Sequence, residues 1–283
     1  MSVSVTARTP RRMSTALTAV GGGVCALALV LSGTADAAPS APEPTHPEDD
    51  FAGSQISKHE AEATTRSGGV GLTAAAGTEG VDVSSHQRKV AWSTLRKSGV
   101  RFAYIKATES KSYKNPYFTQ QYNGAYNVGM IRGAYHFALP NTSSGATQAR
   151  YFLAHGGGWS KDGKTLPGAL DMEYNPYGAT CYGLSKQAMV NWVRDFFNTY
   201  KARTGRDVVI YTSTNWWKNC TGNYAGFGKT NPLWVPRYGS SVGALPGGWK
   251  YQTIWQYTSK GPTVGDHDRF NGGLDRVQAL ANG

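Results

Sequence analysis

The stretch LDMEYNP, residues 170–176, sets Asp171 and Glu173 with one residue between them at the end of an apolar run. Two carboxylates this close repel when both are ionised, and burying either is costly. Such a pair suits glycoside hydrolysis. One carboxyl group must give a proton to the leaving oxygen, while a neighbouring negative charge stabilises the oxocarbenium-like centre. Mutual repulsion divides the pair, one acid staying protonated near neutrality while the other ionises. A lone D-x-E in a strand is also common for structural reasons, so the pair needs support from the rest of the chain. Asp82 and Asp266 lie at the ends of other strand-like runs, although Asp82 also suits a turn cap and Asp266 the orientation of a loop. His86, His136 and His267 read as hydrogen-bonding residues. The chain has neither H-E-x-x-H nor C-x-x-C, which argues against a zinc amidase or protease, and no metal or cofactor is implied. GSSVG at 239–243 fits a nucleophile-elbow pattern but lacks the helix that must follow, and reads as a chance match.

These acids need a frame, and the alternation of elements supplies one. Strand-like runs GVDVSS (80–85), VRFAYIKAT (100–108), IRGAYHFAL (131–139), LPGALDMEY (166–174) and DVVIYTS (207–213) are each followed by a helical pattern. The longest helix candidate is 185–205, with Met189, Trp192, Val193, Phe196, Phe197 and Tyr200 at three- and four-residue spacing and Gly205 as its stop. The rhythm then thins to LWVPRYG, TIWQYTS and GDHDRF, with a closing helix over 274–281. This order predicts a parallel α/β barrel with a degenerate final third. An open doubly wound sheet would show a glycine-rich phosphate turn after its first strand, and DVSSHQR is not one. Barrel chemistry sits at the C-terminal strand ends. Strand alternation would place Asp171 and Glu173 on one face, about 6.6 Å apart at Cα. Closure would bring the first and last strands, with Asp82 and Asp266, together.

The ends of the chain bound where it works. Residues 1–37 read as a signal peptide, with Arg8, Arg11 and Arg12, an apolar stretch containing Cys25, and an ADA cleavage site at 35–37. Residues 38–79, proline-rich and acidic and then rich in small residues, read as a disordered leader or linker, open to removal as a propeptide. Residues 80–283 form one domain. The chain carries +11 overall, whereas this domain holds 24 Lys and Arg against 10 Asp and Glu, or +14. The leader holds seven acids against two basic residues, or −5. A basic exported domain implies an anionic partner. Its basic residues are dispersed, which argues against nucleic acid. Without Cys25 the cysteines are Cys181 and Cys220, either bridged in an oxidising compartment or two separate thiols.

Taken together, GVDVSSHQ, RFAYIKATES, IRGAYHFA, LPGALDMEYNP, LWVPRYG, IWQYTS and DHDRFNG resemble glycoside hydrolase family 25, in order across 80–283. That resemblance implies a lysozyme (N-acetylmuramidase) cutting peptidoglycan between N-acetylmuramic acid and N-acetylglucosamine. It also implies a flattened, incomplete TIM-like barrel of about five β/α units and three further strands. By motif, Glu173 is similar to the family's proton donor and Asp171 to its partner acid. Asp82 and Asp266 resemble the acids of the first and last strands, and Tyr135 and Tyr211 the active-site tyrosines. Cys181 and Cys220 resemble a disulfide of close relatives. Asp268 stands where the family often has Asn, and Gln87 where some members have Trp. The expectation is a secreted, extracellular monomer acting on cell-wall peptidoglycan, with no stable membrane association after signal cleavage. The rival expectations are a chitinase-like hydrolase and a non-catalytic wall-binding relative.

Overall fold

The computed structural model describes residues 49–60 and 77–283. Residues 1–37, read above as a signal peptide with Cys25 in its apolar stretch, and the rest of 38–79 lie outside the described residues. In chain order the strands are β1 (Thr78–Val83), β2 (Phe102–Glu109), β3 (Tyr113–Lys114), β4 (Ile131–Phe137), β5 (Ala169–Asp171), β6 (Val209–Tyr211), β7 (Leu233–Pro236), β8 (Ile254–Thr258) and β9 (Asp266–Phe270). The helices are α1 (Ile56–His59), α2 (Trp92–Lys97), α3 (Phe118–Asn127), α4 (Gly145–Ala154), α5 (Lys186–Thr204), α6 (Thr214–Thr221) and α7 (Leu274–Asn282).

Strands β2 and β4 are buried along their whole length, as expected of parallel strands covered on both faces. The helices after β4, β5 and β6 start from serine caps. Ser144, Ser185 and Ser213 accept hydrogen bonds from the backbone N–H groups of Thr147, Ala188 and Trp216. Helix α5 stops at Gly205, whose φ of 71° is the left-handed conformation.

The sheet runs β1-β9-β8-β7-β6-β5-β4-β2-β3, and a β1–β2 pairing closes it into a barrel with β3 outside as a hairpin on β2. Within the barrel, neighbours are parallel except at β9, which is antiparallel to both β8 and β1. The closed barrel is the expected one, but it is not parallel throughout: its last strand is reversed, which periodicity does not reveal. Inside it, Phe102, Tyr104, Tyr135, Tyr211, Trp234 and Phe270 pack together, and Val277 and Ala281 of α7 join them. Glycine makes room for these rings. A Cβ on Gly80 would lie 2.3 Å from the Phe102 ring, and one on Gly133 would lie 2.3 Å from that of Tyr104. A second core lies between the sheet and α4, α5 and α6. Cys181 and Cys220 form a disulfide that ties the loop after β5 to α6.

Three expectations need correction. The strand read over 166–174 is regular only from Ala169 to Asp171, so Glu173 lies just beyond it. The first strand starts at Thr78, whose N–H bonds the Gly272 carbonyl, rather than at residue 80. Within 38–79, residues 49–60 are not disordered. They clasp the barrel in one compact unit, with Asp50, Ala52 and Ile56 buried. Low hydrophobicity marks the leader as unable to build its own core, but it does not prevent seating on another.

Candidate active site

The acids gather at one mouth of the barrel. Asp82 of β1 stands opposite Asp266 of β9 in register, and Asp171 of β5 stands beside Tyr211 of β6. The reversal of β9 matters here, because it brings the first residue of that strand to the mouth where its neighbours present their last. Tyr135, paired in register with Lys106, completes the wall. Asp82, Asp171, Glu173, Asp266, Tyr135 and Tyr211 are all buried, the most exposed being Asp266 at 6%.

Hydrogen bonds hold one side of the group together. Gln256 of β8 donates from Nε2 to Asp82 Oδ2 at 2.8 Å and accepts at Oε1 from the Tyr211 hydroxyl at 2.9 Å. The Tyr238 hydroxyl reaches Asp266 Oδ2 at 3.4 Å. Asp268, the departure from the family pattern, lies deeper and accepts from Trp234 Nε1 at 2.8 Å. On the other side, Lys106 Nζ lies 2.5 Å from Glu109 Oε2, whose other oxygen accepts from the Tyr177 hydroxyl at 2.7 Å. Neither carboxylate oxygen of Asp171 takes a hydrogen bond from the described residues.

One buried lysine cannot neutralise so many acids, and their proton affinities rise accordingly. Burial pushes Glu173 up to about 8, with Asp266 adding to the rise while the Gly53 and Gln55 amides and Lys106 oppose it. Burial raises Asp171 well above the usual carboxylate range, and Glu173 raises it further. Burial carries Asp266 up to about 7 against a hydrogen bond from Tyr238. Asp82 is raised by burial and by Asp268 and Asp266. Sequence reasoning missed Lys106, Glu109, Gln256 and Tyr238. A lysine inside the apolar run VRFAYIKAT was the available signal for Lys106; Gln256 left none. His136 is buried between Thr108 and Gln148 at 2.8 and 2.9 Å, and burial lowers it to about 3, in keeping with a neutral hydrogen-bonding residue.

A closed α/β barrel with adjacent carboxyl groups at its mouth, their proton affinities raised by burial, has the parts for acid-assisted cleavage of a glycosidic bond. The chain belongs to the glycosyl hydrolases family 25, whose profile matches residues 81–266. It is an enzyme of the glycoside hydrolase class. It is 47% identical over 287 residues to lysozyme M1 of Streptomyces globisporus, covering 98% of this chain and 97% of that protein. It is 48% identical over 209 residues to an N,O-diacetylmuramidase of Chalaropsis sp., covering 72% of this chain and 99% of that one. The crystal structure of the bacterial lysozyme from Streptomyces coelicolor matches at TM-score 0.71 and 51% identity, over 73% of this chain and 97% of that chain. The likeness to lysozyme M1 thus takes in nearly the whole chain, and the other two a little under three quarters of it.

Proposed function

We propose that this protein is a secreted muramidase that hydrolyses the bond between N-acetylmuramic acid and N-acetylglucosamine in bacterial peptidoglycan. The observation that carries the reading is geometric: Asp171 ends β5 with Glu173 just beyond it, and Asp82 and Asp266 face each other in register at the same mouth. Glu173 serves as the general acid. Its proton passes to the glycosidic oxygen as the bond from C1 to that oxygen breaks, and a water molecule then adds at C1 and gives up a proton that restores the acid. Asp171, raised by burial in the covered cleft, ionises once the cleft is open to water and is then the charged partner of the oxocarbenium-like centre. Asp82 and Asp266, tied through Gln256 and Tyr238, form the opposite wall, and the Tyr135 and Tyr211 hydroxyls offer hydrogen bonds to sugar. Relatives named lysozyme and N,O-diacetylmuramidase support this substrate. The protein acts outside the cell as a monomer.

The test is mass spectrometry of fragments from purified peptidoglycan digested by a chain beginning at Gly77, with Glu173→Gln beside it. Muramic acid should stand at each new reducing end. The variant should fold and bind wall but lose lysis by at least about a thousandfold, the scale of losing a general acid. N-acetylglucosamine at that end would make the enzyme a glucosaminidase, and lysis by the variant would remove Glu173 from the mechanism.

A further inference from the structure

Part of the leader packs directly against the acids at the mouth. Residues 49–60 cross the cleft, and their contacts fall on the residues assigned above to substrate. The Gly53 N–H donates to Glu173 Oε1 at 2.7 Å, and the Gln55 N–H to Glu173 Oε2 at 3.4 Å. The Ala52 N–H reaches the Tyr135 hydroxyl at 3.3 Å, while its carbonyl accepts from Gln256 Nε2 at 3.0 Å. The Gly53 carbonyl accepts from the Tyr238 hydroxyl at 3.2 Å. Asp50 pairs with Lys106, its Oδ1 3.2 Å from Nζ, and its backbone carbonyl also accepts from that ammonium. Ala52 packs among the aromatic residues of the barrel interior. On the C-terminal side His59 stacks on Tyr174 at 4.2 Å, and Glu60 accepts from the Tyr174 hydroxyl at 3.0 Å.

We infer that residues 49–60 are an intramolecular inhibitor, a strap that seals the substrate cleft and keeps the enzyme latent until it is displaced or cut away. The inference rests on the reading of Glu173 and its neighbours as the reacting groups. Chemistry favours this occupant. The Ala52–Gly53 peptide unit presents an N–H to Glu173 and a C=O to Gln256, the same donor and acceptor pair that a sugar's acetamido group carries. The leader's −5 charge complements the +14 of the domain. The fit is close at Gly53, which has φ +89° and where a Cβ would lie 2.5 Å from both Gln256 Oε1 and the Tyr238 hydroxyl. A side chain there cannot be seated without moving the groups that hold the strap.

Gly53→Leu is therefore the probe, since it alters a residue outside the barrel. Three proteins are compared, each with residues 38–76 present: the unaltered chain, Gly53→Leu, and a chain with an inserted protease site between Glu60 and Gly77, before and after cutting. Wall lysis and amide hydrogen exchange over residues 51–57 are both read. The expected result is protected amides and lysis at least about tenfold slower in the unaltered chain, with both effects lost in Gly53→Leu and after cutting. Equal lysis by the intact and cut chains, or fast exchange over 51–57 in the unaltered chain, overturns the inference. Protected amides that open in Gly53→Leu, with no lysis by any form, would support the docked strap and overturn instead the assignment of the reacting groups.

Discussion

Glu173, Asp266 and Glu109 hold their protons too tightly for ordinary carboxyls, and that has a measurable price in stability. Burial is the leading cause in each, lifting Glu173 to about 8 and the other two to about 7. All three folded values exceed the unfolded ones, so the folded state binds more protons across the window from about 4 to 8. Their contribution to stability is complete below that window and is lost as pH rises through it. The unfolding midpoint of the strapped chain should therefore fall from pH 5 to pH 8. Glu173→Gln, neutral throughout, should flatten part of that fall. Calorimetry of both proteins at several pH values tests this, and a midpoint that rises over the range contradicts it. At this scale the sequence spoke clearly where residue types are themselves unusual. Asp171 and Glu173 stood out because acids are rare at the end of an apolar strand. Gln256 did not, because a glutamine in a strand becomes distinctive only when Asp82, Tyr211 and the strap are seen around it.

Among the elements, the loop after β5 has the most to hold, since it follows Glu173 and leads through Tyr177 and Tyr182 to α5. Tyr182 donates to the Glu173 carbonyl at 3.1 Å, and Cys181 beside it is bridged to Cys220 across 39 residues of chain. Closing a loop of that length restricts the unfolded chain by about 4 kcal/mol in the entropic account. Replacing both cysteines by serine should lower unfolding stability in urea by about 2–4 kcal/mol, with lysis retained at low temperature. An unchanged urea midpoint would show that the bridge does not contribute in this way. The strands and long helices were legible because burial on one or both faces leaves a periodic trace. Two features were not. The direction of β9 depends on how the chain enters DHDRF, since alternation reads the same in either direction. Strand β5 ends two residues before Glu173, so strand alternation could not by itself place that side chain.

For the molecule as a whole, charge and connectivity set behaviour that no single site determines. The barrel domain's +14 should draw it to anionic wall, an attraction screened within about 10 Å at 0.1 M salt. Lysis by a chain beginning at Gly77 should fall several-fold between about 0.02 and 0.5 M sodium chloride, while cleavage of a short uncharged oligosaccharide should change little. Equal salt sensitivity for both substrates would remove steering as the cause. The leader was the part least legible from residue types, and for a physical reason: much of its grip comes from backbone N–H and C=O groups at Ala52, Gly53 and Gln55, which every sequence possesses. The strap also has a consequence for how latency scales with amount. Sixteen residues join Glu60 to Gly77, so strap and cleft meet at an effective concentration on the order of 1 mM however dilute the protein is. A strap that would bind with a dissociation constant of only about 10 μM as a free peptide would still close the cleft about a hundred to one. One cut in the connecting chain removes that advantage, and at nanomolar enzyme the freed peptide is lost to dilution. Latency would then be insensitive to concentration before the cut and irreversible after it.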